Sequence, residues 1–283
     1  MNNHIDFSKP RYCNAGIKWF VIKNNNIYPC HPIENHLQTL YDLENEKLKI
    51  RENTLCSINC NGGCEIGQCP MSNTDPNIVS NNKEITIVIY TSNYCPQDCP
   101  FCFHITTEKK KSWEIYIPGL LLLFKQLNEL YQNHKYRILF TGGEPLLDNN
   151  FENILKLTLS NLNVSHIRLY TSLPQNSKIK KIIEQYPIKN KLYISISCHP
   201  GGKIFNLYKF IEGIDYLKNN NVKLNVHMVD HPINEPFSQG LRELFDKMNI
   251  EFYIAKNMKS DNYTKNNENI IYNSLYPFDF TKL

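Results

Sequence analysis

Three cysteines, Cys95, Cys99 and Cys102, fall within one short stretch, Cys95-Pro96-Gln97-Asp98-Cys99-Pro100-Phe101-Cys102. A structural zinc ion takes four ligands, usually as two matched pairs. Three thiolates from one loop instead suit a cubane iron–sulfur cluster in which one iron keeps no protein ligand. Such an iron is open to a small molecule. A second chemistry-bearing stretch, Thr141-Gly142-Gly143-Glu144-Pro145, lies further along. Its glycines allow the backbone to come close to a ligand, and Glu144 offers a carboxylate to a cation.

Each stretch needs a strand behind it. Glu84-Ile85-Thr86-Ile87-Val88-Ile89-Tyr90 alternates and is β-branched, so the cysteine loop leaves the C-terminal end of a strand. Tyr136–Phe140 reads as another strand and runs directly into Thr141-Gly142-Gly143. Further strands are expected over His166–Thr171, Lys191–Ser197, Val222–Val229 and Ile250–Ala255. Helices are expected within Gly119–Asn133, Phe151–Asn161, Ser177–Gln185, Ile204–Asn219 and Phe237–Met248. Repeated strand–helix units imply a parallel sheet with right-handed crossovers. Six units do not close an eight-unit barrel. The fold class is therefore α/β: a partial (βα)6 parallel barrel over residues 81–283, preceded by a small cysteine-rich domain over residues 1–80.

The strands also sort their side chains. Leu192, Ile194 and Ile196 oppose Tyr193, Ser195 and Ser197; Leu224, Val226 and Met228 oppose Asn225 and His227; Ile167 and Leu169 oppose Arg168, Tyr170 and Ser172. Helices cover the apolar face, so the polar stripes line the interior. A purely structural barrel fills its interior with branched aliphatics. This one is built to hold a polar ligand.

Composition bounds the rest. A chain of 283 residues, 41% hydrophobic and 20% charged, has the make-up of a soluble globular protein with a sizeable core. A net charge of +4 without a dense Lys/Arg block gives no nucleic-acid footprint. No basic segment followed by an apolar run opens the chain, and Gly119–Phe124 is too short to span a bilayer. A cytoplasmic protein is expected. Ten cysteines in a reducing compartment point to metal or cluster ligation rather than disulfides.

Six of those cysteines, Cys13, Cys30, Cys56, Cys60, Cys64 and Cys69, precede residue 80 in a Gly/Asn-rich region with little periodicity. Cluster coordination would staple such a region. Phe20–Cys30 reads as a β-hairpin with asparagine in its turn, and it delivers Cys30 at its end. A zinc-binding knuckle uses the same ligand types.

The cysteine loop with Phe101 before its last cysteine, followed after the next strand by Gly142-Gly143-Glu144-Pro145, resembles the paired signature of radical S-adenosylmethionine (SAM) enzymes. The N-terminal pattern of Cys13, a hairpin ending at Cys30 and Cys60-Asn61-Gly62-Gly63-Cys64 resembles their SPASM and Twitch auxiliary-cluster domains. It departs from them in carrying Asn25 where the family usually has glycine, and in preceding the barrel. The resemblance implies that Cys95, Cys99 and Cys102 ligate a [4Fe-4S] cluster whose open iron binds SAM. One electron passed to the sulfonium would then release a 5′-deoxyadenosyl radical that abstracts hydrogen from a substrate. It implies that Gly142, Gly143, Glu144 and Pro145 hold the methionine end of SAM. Phe101 packs beside the cluster or in the core.

Thr171, Ser172, Ser195 and Ser197 lie at strand C-terminal ends, where ligands bind in such sheets, and are candidates to touch SAM. Asn225 and His227 are candidate substrate or ribose contacts. Cys198 is either a buried core thiol or catalytic, a hydrogen-atom donor as in radical epimerases. At least one auxiliary iron–sulfur cluster is expected on the N-terminal cysteines. Expected partners are SAM, a peptide or small-molecule substrate, and a one-electron donor such as flavodoxin or ferredoxin, with neither membrane nor nucleic acid. Auxiliary clusters favour peptide modification; a nucleoside or other small metabolite is the alternative. A non-catalytic electron carrier would not need the Gly-Gly-Glu-Pro pocket, and a nucleic-acid-binding zinc protein would need more basic patterning.

Overall fold

A computed structural model describes residues 18–29, 38–50, 83–102, 114–173, 176–186 and 190–255, plus the backbone of two short strands at 12–13 and 72–73. The strands are β1 (Tyr12–Cys13), β2 (Trp19–Lys23), β3 (Asn26–Tyr28), β4 (Gln38–Thr39), β5 (Ser72–Asn73) and β6 (Glu84–Tyr90), then β7 (Lys135–Thr141), β8 (Val164–Thr171), β9 (Leu192–Ser197), β10 (Lys223–Val229) and β11 (Phe252–Ala255). The helices are α1 (Ile117–Leu130), α2 (Phe151–Ser160), α3 (Asn176–Gln185), α4 (Leu207–Asn219) and α5 (Ser238–Lys247).

Strands β6 to β11 lie side by side in chain order, every pair parallel, with one helix between each strand and the next. This is a mostly parallel, open α/β sheet of the partial-barrel kind. All six expected strands and five expected helices are present, their ends moved by a few residues. The physical reason lies in the alternation. Ile85, Ile87 and Ile89 of β6 are fully buried on one face, as are Tyr136, Ile138 and Phe140 of β7. Helix α1 answers with Leu120, Leu123, Phe124 and Leu127, one apolar stripe at helical spacing.

The sheet extends beyond β6. Strand β2 pairs parallel with β6, β3 returns antiparallel along β2, and β4 adds the outer edge, giving nine strands in the order β11-β10-β9-β8-β7-β6-β2-β3-β4. The turn from β2 to β3 is Asn24-Asn25, both left-handed with φ of 49° and 60°. Two residues at positive φ are what a two-residue hairpin demands. Asn25 does more than turn the chain: its Oδ1 accepts the Tyr116 N–H at 2.7 Å and its Nδ2 donates to the Glu114 carbonyl at 3.0 Å. A glycine there would lose both ties. Leu40, Leu43 and Leu48 enter the same core as α1, and Gln126 of α1 donates to the Leu43 and Glu46 carbonyls. The described segments at 18–29 and 38–50 are thus built into the barrel's sheet and core. Of the N-terminal cysteines, Cys13 is described only as a strand residue pairing with Ser72; Cys30, Cys56, Cys60, Cys64 and Cys69 lie outside the described residues. Among the described residues, no helix is long and apolar enough to cross a membrane.

Candidate functional site

The cysteine loop leaves β6 at its C-terminal end and is fastened to the loop that leaves β7. The Thr91 N–H donates to the Thr141 carbonyl at 3.1 Å, Gly143 N–H to Ser92 at 2.7 Å, and Glu144 N–H to Tyr94 at 2.8 Å. The two backbones run against each other like an extra stretch of sheet. The glycines make this possible. Gly142 has φ of +133°, and a Cβ on it would sit 2.3 Å from the Ser92 carbonyl oxygen. A Cβ on Gly143 would sit 2.2 Å from that of Tyr94. The close approach that Gly142 and Gly143 permit is therefore to the cysteine loop itself.

Within the loop, Cys99 is buried and Cys95 and Cys102 are partly exposed. The Cys102 N–H donates to the Cys99 carbonyl, folding the two ligand candidates into one turn. Gln97, between the first two cysteines, is buried and reaches outward: its carbonyl accepts the Lys203 N–H at 2.7 Å, and its Nε2 lies 3.5 Å from Ser172 Oγ. Sequence reasoning passed over Gln97, because a polar residue in a loop carries no periodic signal. Phe101 is buried and packs edge-on against His199 with ring centroids 4.8 Å apart, and against His231 at 5.2 Å. Both histidines were missed too; their places just past the C-terminal ends of β9 and β10 were the available clue.

Glu144 is the knot of the site. Its carboxylate is buried and accepts four hydrogen bonds: Thr171 Oγ1 at 2.6 Å and Leu146 N–H at 3.1 Å on one oxygen, Ser172 N–H and Oγ, each at 2.8 Å, on the other. All four lone pairs are used, so the expected contact with a ligand ammonium would have to displace one of these donors. Burial pushes the carboxyl above the ordinary range, against the pull of the Thr171, Ser172 and Leu146 donors. Pro145 is buried directly behind it, opening a short 3-10 turn. Replacing Glu144 with Gln puts an amide N–H2 against donors and is expected to cost about 2 kcal/mol or more. Melting of the variant without any ligand measures it; an unchanged Tm would mean that the four bonds contribute nothing.

Further across the sheet, the expected site residues divide. Ser195 and Asn225, both buried, bond each other at 2.9 Å across β9 and β10. Ser197 Oγ lies 3.0 Å from His227 Nε2, and the His227 ring stacks on Tyr253 at 5.6 Å. Ser172 alone of the serines joins the Glu144 knot. For Cys198 the sequence leaves a core thiol and a hydrogen-atom donor open. The residue keeps the parity of Ile194 and Ile196, is fully buried in the core against the helices, and burial drives its thiol well up. These surroundings are those of a core thiol.

The two interior histidines are held neutral. Burial, aided by His227, lowers His199 to about 3, and burial with nearby Arg168 lowers His227 to about 4. In an unfolded chain both would titrate near their ordinary value of about 6.5. Between these values the unfolded state binds more protons, so stability rises with pH and is lost as pH falls below about 6.5. The slope should steepen as pH falls through about 6.5, approaching about 1.4 kcal/mol per pH unit for each ring near pH 5.5. Denaturant melts from pH 7 to 5.5 measure it, and His227→Asn should remove roughly half of the slope; a flat profile in the parent chain would refute the burial.

Residues 89–236, just over half of the chain, match the Radical SAM superfamily. The chain belongs to the radical SAM superfamily. It is an enzyme of that superfamily by this match, and the family implies a [4Fe-4S] cluster and SAM. Among curated proteins none matches the chain. It aligns with the solved structure described as "Native anSMEcpe with bound AdoMet" at 19% identity and TM-score 0.48, covering 61% of this chain and 52% of that one. It aligns with Streptococcus suis SuiB bound to S-adenosylmethionine at 18% identity and TM-score 0.49, covering 64% and 42%. SuiB bound to the precursor peptide SuiA aligns at 18% identity and TM-score 0.48, covering 78% and 50%. The chain spans about half the length of these proteins or less. These likenesses are too loose to add to the fold.

The residue types on the loop suit the cluster that radical SAM membership implies, while among the described residues no three Cys, His, Asp or Glu side chains stand grouped to hold a metal ion. The donor set is three soft thiols on one loop, suited to iron–sulfur ligation. At the loop's root the Thr91 and Ser92 hydroxyls are buried with no hydrogen-bond partner among the described residues, leaving donors for a sulfur-rich acceptor nearby.

Proposed function

We propose that this radical SAM chain reductively cleaves SAM and uses the resulting radical to abstract hydrogen from a substrate, a peptide or protein side chain or backbone. The observation that supports it best is the joining of the three-thiol loop to the Gly142-Gly143 turn at the C-terminal end of the parallel sheet. Cys95, Cys99 and Cys102 would hold the [4Fe-4S] cluster, which when bound supplies one electron to the SAM sulfonium. Gly142 and Gly143 fix the loop against β7, while Glu144 and Ser172 hold the adjoining strand ends together. Phe101, His199 and His231 pack as an aromatic group next to the last cysteine and would brace that end of the loop. Tyr170, Tyr193, Ser197 and His227 share the polar face of β8, β9 and β10, the face that would meet a polar substrate.

The N-terminal cysteines, Cys13, Cys30, Cys56, Cys60, Cys64 and Cys69, hold at least one auxiliary iron–sulfur cluster in this reading, and that pattern is what favours a peptide substrate over a small metabolite. A flavodoxin- or ferredoxin-type protein supplies the electron. The test is anaerobic: protein reconstituted with iron and sulfide, then reduced, should convert SAM to 5′-deoxyadenosine and methionine. Failure to form 5′-deoxyadenosine with a fully loaded, reduced cluster sinks the proposal.

A further inference from the structure

The interior face carries a cation that the chemistry above leaves unused. Arg168 sits mid-strand on β8, level with Leu139 of β7 and Tyr193 of β9. Its guanidinium carbon lies 4.7 Å from the Tyr193 ring centroid and 5.3 Å from that of Tyr170. Aromatic rings hold a guanidinium by its faces and leave its in-plane N–H edge for other acceptors. That edge is not filled from within. The Tyr170 hydroxyl draws on one N–H, but Nε is buried and has no hydrogen-bond partner among the described residues.

The neighbouring charges are accounted for. Arg137, one step lower on β7, pairs with Glu84 at 2.8 Å. Glu251, just before β11, is engaged with the Tyr193 hydroxyl. Among the described residues, none of the ion pairs involves Arg168. His227 stands on the same face and, held neutral, brings no compensating charge. A half-buried arginine with an unsatisfied Nε–H, held against two tyrosine rings, lacks the oxygen acceptor that its in-plane edge is shaped to take.

We propose that Arg168, packed between Tyr170 and Tyr193, anchors an anionic oxygen group of the substrate, a carboxylate or a phosphoryl group, inside the open barrel. This rests on the radical SAM reading for the word substrate, and names the chemical class that the interior selects. The group enters from the C-terminal end of the strands, where the cysteine loop lies, so the anchored part of the substrate sits deeper than its reacting part. An acidic peptide meets the requirement by a side-chain or terminal carboxylate. A nucleotide meets it by phosphate.

The full-length protein, labelled with 15N, is titrated with N-acetyl-glutamate methylamide, with its neutral isostere N-acetyl-glutamine methylamide, and with inorganic phosphate. The readout is the Arg168 Nε–H signal, identified by its loss in Arg168→Lys. Should that variant fail to fold, protection of Arg168 in the parent protein from phenylglyoxal, read by peptide mass spectrometry, reports the same occupancy. Blocked glutamate is expected to shift the signal saturably and to bind about tenfold or more tighter than blocked glutamine. A response to phosphate alone keeps the anchor and identifies phosphoryl as its ligand. No response to either anion, or an equal response to blocked glutamine, overturns the proposal. Neither readout needs SAM or reductant, so failure here and failure of SAM cleavage remain separate results.

Discussion

With Cys95, Cys99 and Cys102 all replaced by alanine, the protein is expected to form no 5′-deoxyadenosine from SAM under reducing conditions. The substitutions remove three thiols from one turn and nothing else: Cys95 and Cys102 are partly exposed, so truncating them opens no large core cavity. The fold should survive, because the hydrogen bonds that dock the loop on β7 are all backbone to backbone. Activity and stability therefore separate in this variant. It also reports on the N-terminal cysteines. About four irons per chain should remain if they hold one auxiliary cubane, and about eight if they hold two. Cleavage at the parent rate would end the cluster assignment; zinc in place of iron would make the N-terminal region a zinc module.

Gly143→Ala is expected to have the second-largest effect, through packing rather than ligation. Its added carbon would meet the Tyr94 carbonyl oxygen at 2.2 Å, the Tyr94 carbonyl carbon at 2.5 Å and that of Asn93 at 2.7 Å. All three are backbone atoms, which cannot swing aside as a side chain does. Either the Gly143 and Glu144 N–H bonds to Ser92 and Tyr94 break, or the cysteine loop shifts. Overpacking of this kind costs about 3 kcal/mol, a fall of roughly 6–10 °C in Tm. Iron incorporation should drop with it, since the three thiols lose their common frame. A variant with parent Tm and full iron content would show that the loop tolerates displacement.

The barrel was legible in the sequence because its signal is periodic. Ile85, Ile87 and Ile89 announce a strand, and Leu120, Leu123, Phe124 and Leu127 a helix, whatever they pack against. The cysteine loop was legible by residue type and spacing. Partnership was not. Nothing local in Glu144 says that Thr171 and Ser172 will occupy its oxygens, for they come from a different strand end. Ser195 and Asn225 were read singly as ligand contacts, and nothing local in either shows that they bond each other across β9 and β10. Cys198 illustrates the opposite case. Its parity with Ile194 and Ile196 places it on the helix side, and strand alternation alone carries that information. The hairpin's Asn24-Asn25 turn was visible, but its attachment to Glu114 and Tyr116 was not, since it joins segments far apart in the chain.

The pairing of β2 with β6 bears on how the protein acquires its shape. The hairpin's own antiparallel pair is local and closes as soon as its residues are free to meet. Its other edge must wait, because Trp19 finds Thr86 only after a long intervening segment has been made. Parallel pairing across such a span is slow, its loop-closure entropy being spent before any contact compensates. Until then Phe20 and Ile22, fully buried in the finished protein, stand exposed on a short two-stranded ribbon. The strand that ends at the cysteines takes β2's free edge, and Leu40, Leu120 and Leu123 join the core around Phe20 and Ile22. Docking of β6, whose end starts the cysteine loop, and pairing of the N-terminal ribbon's free edge are thus one step, and a nascent chain halted before residue 90 would present an unpaired edge to its neighbours.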